Sequence, residues 1–269
     1  MTSSQKIIKY FAIAFAFALI FGILSCIMFG LSQVSTYFND NKEDIIEELK
    51  DMNIDTNGVS VLDIDIKYAN LIIKVGDKLS AETNNKYITT SQKGNKLIIN
   101  EKKHSWFNND KSDLIVYIPE DLIFDGVSID AGAGKIEIDS LNTKILEFDL
   151  GAGKTDINNL VVLGSAEIDG GAGEITISNA NINNLDLDTG VGKFTLISEL
   201  IGKNEIDVGV GELNITLLGI KENYRIIAEK GIGSIKLDNK DMKSNQFYGT
   251  GQNSIDISGG VGSIDIKFK

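Results

Sequence analysis

Seven Gly-x-Gly triplets punctuate the second half of the chain: Gly132-Ala133-Gly134, Gly151-Ala152-Gly153, Gly171-Ala172-Gly173, Gly190-Val191-Gly192, Gly209-Val210-Gly211, Gly231-Ile232-Gly233 and Gly260-Val261-Gly262. The first five follow one another at 19, 20, 19 and 19 residues, and the last two steps are 22 and 29. A fixed period of this size is the mark of a stacked repeat architecture. Alternating apolar residues flank each triplet, such as Leu185/Leu187 before Gly190 and Phe194/Leu196 after Gly192. Period-2 alternation is a strand with one buried face. The triplet between two such strands reads as a sharp corner, since glycine accepts backbone conformations and close approaches that other residues resist. The residue between the glycines is always Ala, Val or Ile, and is expected to point inward and fill the corner. A sandwich would need hairpins of varied turn chemistry. One corner repeated in register predicts an all-β solenoid of stacked coils of about 19–20 residues, each paired with the coil above and below.

Residues 59–126 are less regular. Leu62–Ile66 followed by Leu71–Ile73 resembles a coil without its glycines, and Leu97–Ile99 and Leu114–Ile118 are two further strands. Pro119 has no N–H to donate and is expected to close its strand or lie on an edge. The chain ends at Lys267 and Lys269, charges suited to blunting an open sheet edge if this last coil ends the stack.

Residues 10–31 carry no charge. As a helix this run would span ~33 Å against a hydrocarbon core of ~30 Å. Lys6 and Lys9 precede it, while Asp40, Lys42, Glu43 and Asp44 follow. The positive-inside rule then places residues 1–9 in the cytoplasm, a single transmembrane helix at 10–31, and the remainder outside the cell membrane. Two alternatives stay open, a cleaved signal peptide and a lipoprotein signal at Cys26. Asn39–Met52 reads as a short helix with Ile45, Leu49 and Met52 on one face, a stalk or a plug over the end of the β domain. The expected division is 1–9, 10–31, a linker with short helix at 32–58, an irregular β region at 59–126, and the repeat at 127–269.

At this point the sequence resembles the DUF4097 family, also named as a family of candidate adhesins. The strand Leu62–Ile66, the strand Leu114–Pro119 and the tandem hydrophobic-x-hydrophobic-Asp-x-Gly-x-Gly units from Val127 onward carry the resemblance. It extends over roughly 59–269. It implies a β-solenoid of bacterial cell envelopes, in some members associated with envelope-stress operons, and it brings no active site to transfer. The chain departs from the pattern at Asn70, near the expected first glycine, and at an insertion from Asn245 to Ser254.

Composition narrows the chemistry. One cysteine and one histidine exclude an internal disulfide and a Cys/His zinc cluster. A net charge of −12 and a single arginine, Arg225, disfavour nucleic acid. A nucleotide cradle fails because no helix follows any triplet. The strongest polar pattern is acidic: Asp130, Asp149, Asp169, Asp188, Asp207 and Glu229 each lie two residues before a triplet. Stacked coils would bring them into a column. One reading is a row of calcium sites at Asp130, Asp149, Asp169, Asp188 and Asp207. The other is that each carboxylate accepts N–H groups of its own corner. The repulsion of neighbours at ~4.8 Å, about 0.9 kcal/mol in water, is smaller than a charged hydrogen bond, and so favours the second. A parallel column, Glu147, Glu167, Asp186 and Glu205, reads as a solvated face able to draw cationic partners. His104, Trp106 and Phe107 lie in a polar loop, as a plain surface histidine and either a loop anchor or a contact point. The expectation is a non-catalytic protein without cofactor or metal, held by its helix in the lipid bilayer, that engages an envelope polymer or protein as an adhesin-like or scaffold module. The alternatives are an accessory or sensory component of envelope-stress signalling and, less favoured, a carbohydrate-active enzyme.

Overall fold

The computed structural model describes residues 48–52, 54, 56–102 and 112–269. The expected membrane helix and the loop with His104, Trp106 and Phe107 lie outside the described residues. Among the described residues no helix is long and apolar enough to cross a membrane. Nearly everything described is strand: β1 (Lys50–Asp51), β2 (Val61–Ile66), β3 (Asn70–Val75), β4 (Ser80–Thr83), β5 (Ile88–Lys93), β6 (Lys96–Glu101), β7 (Asp113–Ile118), β8 (Phe124–Asn183), β9 (Leu185–Ile201), β10 (Lys203–Leu217), β11 (Tyr224–Leu237), β12 (Lys240–Asp241) and β13 (Asn253–Phe268). The thirteen strands join one mixed sheet.

Its long part is parallel and in register. β8 pairs with β9 and β9 with β10, so that Ala172, Val191 and Val210 align, as do Ile168, Leu187 and Ile206. Inward positions bury as the alternation requires: Ile129, Phe148, Ile168, Leu187, Ile206 and Ile257 before the corners, and Ile138, Ile177, Leu196, Ile215 and Ile266 after them, are at most 2% exposed. Burial of a Leu or Ile side chain contributes roughly 1.5–3 kcal/mol, and these columns form one continuous core.

The corners explain the glycines. A Cβ added to Gly153, Gly173, Gly192 or Gly211 would collide with the carbonyl oxygen of the second glycine one level below. These same residues have φ of +147° to +152°, a region that is essentially glycine's alone. Close stacking of backbone on backbone, together with that dihedral, excludes a side chain twice over.

The residue between the glycines does not fill the corner. Val261 is 42% exposed and Ile232 63% exposed, Ala133 and Ala152 are exposed, and Ala172, Val191 and Val210 are half-buried. The inside of the corner is filled instead by the residue before the first glycine and the second residue after the last. These two vary in opposite senses. Gly170 faces Ile175, whose Cδ1 would lie 2.9 Å from an added Cβ, and Gly259 faces Ile264 at 2.7 Å. Leu150 is matched by the smaller Thr155. The hollow left along this inner corner has a volume of ≈ 40 Å³, room for a few water molecules.

The first corner lacks glycine because nothing of that kind stacks beneath it. Ile66 pairs with Ala131, and the Lys67 and Ala69 carbonyls meet Gly132 and Gly134. Lys67-Tyr68-Ala69 therefore stands where later levels have Gly-x-Gly, and Asn70 is the residue after it. Asn70 Oδ1 accepts the Lys135 N–H at 3.0 Å. Below this corner sits the buried carboxylate of Glu101, which accepts the N–H groups of Lys67 (2.6 Å), Tyr68 (2.9 Å) and Ala69 (3.4 Å), and Asn85 Nδ2 at its other oxygen (2.9 Å). One side chain replaces a whole missing level of backbone.

Two further expectations are corrected. Lys50–Asp51, inside the expected helix 39–52, is a strand antiparallel to β4, and the Met52 N–H donates to the Ala81 carbonyl. The free edge of β4 offered these residues backbone partners, which an isolated turn of helix lacks. At the other end, the C-terminal strand is not the edge. β13 lies between β10 and β11, parallel to both. The outer side of β11 is covered by residues 240–251: β12 pairs with Lys236–Leu237, Met242 is buried, and Tyr248 bridges Ile226. Steps of 22 and 29 residues thus record both inserted residues, 218–223 and 238–252, and a change of stacking order. Pro119 follows Ile118, the last residue of β7, as expected of a strand closer.

Candidate interaction face

Parallel register turns the acidic positions into rows. Glu167, Asp186, Glu205 and Asp256 align, and beside them Asp169, Asp188, Asp207 and Ser258. Asp65 pairs with Asp130 and so extends the second row at its start, while Ser258 separates Asp207 from Glu229. All lie on the outer face of the strands that precede the corners. With strands ~4.8 Å apart and same-face residues two apart, this wall is a flat lattice of carboxylates.

Cations are placed at its margins. Lys67 Nζ lies 2.6 Å from Asp65 and 3.4 Å from Asp130, Lys96 lies 2.9 Å from Asp63, and Lys203 pairs with Glu205. Among the described residues no cation pairs with Glu147, Asp149, Glu167, Asp169, Asp186, Asp188 or Asp207. The wall after the corners is different: Lys154 lies 3.0 Å from Asp156 and Lys193 3.8 Å from Glu212, and Lys135 pairs with Glu137. One wall is charge-paired, and the other presents nearly unpaired negative charge. Between them runs the outward column Tyr68, Ala133, Ala152, Ala172, Val191, Val210, Val261 and Ile232, an apolar seam whose members between glycines the sequence reading assigned to the interior.

The turn-capping reading of the Asp column is not what the geometry displays. Among the described residues no corner N–H donates to Asp149, Asp169, Asp188 or Asp207. The Ala133 N–H instead donates 2.9 Å to the Lys67 carbonyl of the level below, so the corner spends its donors on stacking. Nor does any group of three acidic, His or Cys side chains among the described residues converge as a metal cluster. Partial burial, and then the neighbouring Asp207, Asp169 and Asp186 charges, push the Asp188 carboxyl above its ordinary range. A carboxyl raised by the fold holds its proton more tightly folded than unfolded. Its ionised form therefore opposes folding, and stability falls as pH rises through that window. Asp188→Asn is accordingly expected to raise the melting temperature at low ionic strength, with the gain shrinking in salt. A lower melting temperature would restore the turn-capping reading.

Solved structures similar to this chain share low identity with it. A candidate cell adhesion protein from Clostridium sporogenes is 16% identical, with 82% of this chain and 99% of that one aligned at a TM-score of 0.33. A candidate adhesin from Bacteroides fragilis is 15% identical over 84% and 100%, at 0.38. A candidate lipid-binding protein from Parabacteroides distasonis is 15% identical over 81% and 96%, at 0.33. No functionally curated protein matches the chain. The family model described as Toastrack DUF4097 matches residues 49–261, and the chain belongs to that family.

Proposed function

We propose that this chain is a non-catalytic interaction module of a bacterial cell envelope, a β-solenoid whose acidic wall engages a cationic partner outside the membrane. The observation that carries the reading is the asymmetry of the two walls. Stacking places Glu147, Asp149, Glu167, Asp169, Asp186 and Asp188 in rows without counter-cations, while the opposite wall is paired. Self-repulsion of that kind lowers stability, and a positive partner would relieve it. Among the described residues, the hollow along the corner, at ≈ 40 Å³, has less room than a glycosidic bond held between two carboxylates needs. Residues 10–31 supply a bilayer anchor with the N-terminus in the cytoplasm, and the partner is an envelope polymer or protein rich in amines. The adhesin names of similar structures are compatible with this reading.

The test is binding of the full chain in detergent to fluorescent polylysine, followed against salt. The triple variant Glu167→Gln, Asp186→Asn, Asp188→Asn is expected to lose most of the affinity and to flatten the salt dependence, with the melting temperature unchanged or raised. Equal affinity in variant and parent, or binding indifferent to salt, would remove the acidic wall from the function.

A further inference from the structure

The stacking order departs from chain order at one place. Gly211 is followed in the stack by Gly262 and then by Gly233, although Gly233 comes first along the chain. β13 is thus the last strand of the chain and yet an internal one. Lys203–Leu217 pair with Ser254–Phe268 on one side, and Tyr224–Leu237 pair with Asn253–Ile266 on the other. Both walls of this slot belong to segments that precede β13 and are already joined by residues 218–223. Tyr224 holds the base of β11 toward the earlier levels without β13: its hydroxyl donates to the Leu218 carbonyl at 2.9 Å and accepts the Leu200 N–H at 3.3 Å.

We propose that the slot between β10 and β11 is a strand-binding site that takes the β13 of a second copy of this chain as well as its own. The slot selects for that strand. Carbonyl oxygen stacking from Gly211 to Gly262 and from Gly262 to Gly233 admits only a Gly-x-Gly corner. Ile255, Ile257, Ile264 and Ile266 supply the buried face. Asn204, fully buried, reads the start of the strand: its Nδ2 donates to the Ser254 carbonyl at 3.0 Å while its Oδ1 accepts the Leu185 N–H at 3.1 Å. None of these contacts depends on whether β13 arrives from the same chain. An identical element exchanged between copies reproduces every bond, so the exchange carries little intrinsic cost. The connecting residues 238–252 could extend over ~50 Å once released, and exchange first frees their bonds along β11, those of Lys240–Asp241, Met242, Asn245, Tyr248 and Gly251. The consequence is a linked pair of copies, which doubles the number of acidic walls presented to one partner.

The test uses two differently tagged full-length chains, co-expressed, each with Cys26→Ser. One carries Asn214→Cys and the other Asp265→Cys, positions that are register partners across β10 and β13 at a separation suited to a disulfide. The expected result is a disulfide-linked heterodimer that accumulates with this pair and not with Asn214→Cys against Glu137→Cys, which lies on the same wall several levels away. Both cysteines placed in one chain should close internally, which shows that the variants fold and that the register holds. Internal closure without any heterodimer, or heterodimer equally abundant with Glu137→Cys, overturns the exchange. Failure of the internal bond overturns the slot itself.

Discussion

Gly173→Val is expected to destabilise the domain by about 3–5 kcal/mol, while Ala172→Val one residue away changes its stability by less than about 0.5 kcal/mol. Both substitutions place a branched side chain in the same corner, so composition and hydrophobicity predict no such difference. Geometry separates them. Gly173 has φ +151° and its added Cβ would strike the Gly153 carbonyl oxygen. The strain cannot relax locally, since Gly153 is fixed by Gly134 beneath it and Gly192 rests on Gly173 above. Ala172 points outward and aligns with Val191 and Val210, where the fold already carries valine. Urea unfolding of the two variants beside the parent measures both numbers. Comparable losses would mean that the corner is not a stack of backbone on backbone.

Leu187→Asp should leave the domain unfolded at room temperature. Leu187 is fully buried and aligned with Ile168 and Ile206 in the middle of the stack. A carboxylate there either stays ionised without a partner or takes up a proton, and removal of the Leu side chain adds a packing loss of about 2–5 kcal/mol. The combined cost is on the order of the whole stability of a domain, roughly 5–15 kcal/mol. Asp186→Leu, the neighbour on the opposite face, is the control and should remain folded, because Asp186 is solvent-facing. Circular dichroism melts of the pair decide the matter. A Leu187→Asp variant with an unchanged melt would place this residue outside the core and reverse the inside and outside of every unit.

What could be read from the sequence was whatever repeats. The inward columns were legible because alternation at Leu185/Leu187 and Phe194/Leu196 has one physical meaning, and the corners because glycine recurred at two fixed offsets. The acidic rows followed from the same period. What failed was non-periodic or turned on direction rather than position. The residue between the glycines looked like a core residue by type, but a corner that folds backbone over backbone leaves its middle residue facing solvent. The glycine-free first corner was misaligned to Asn70, because its replacement is a single carboxylate, Glu101, some thirty residues downstream, and no local pattern connects the two. The place of β13 was hidden for a similar reason: every level carries the same corner, so equivalent units can stack in more than one order. Only the odd steps of 22 and 29 residues hinted at it.

The stack itself is tested most directly by distances along its outward column. Spin labels at Ala133 and Ile232, in the Cys26→Ser background, span six levels in the order Ala133, Ala152, Ala172, Val191, Val210, Val261, Ile232, and labels at Ala133 and Val261 span five. At ~4.8 Å per level the two mean separations should be about 29 Å and about 24 Å, with the pair to Ile232 the longer. A longer distance to Val261 would restore chain order and remove the slot for β13. Separations that do not scale with level number would contradict the stacked rows on which the proposed binding wall depends.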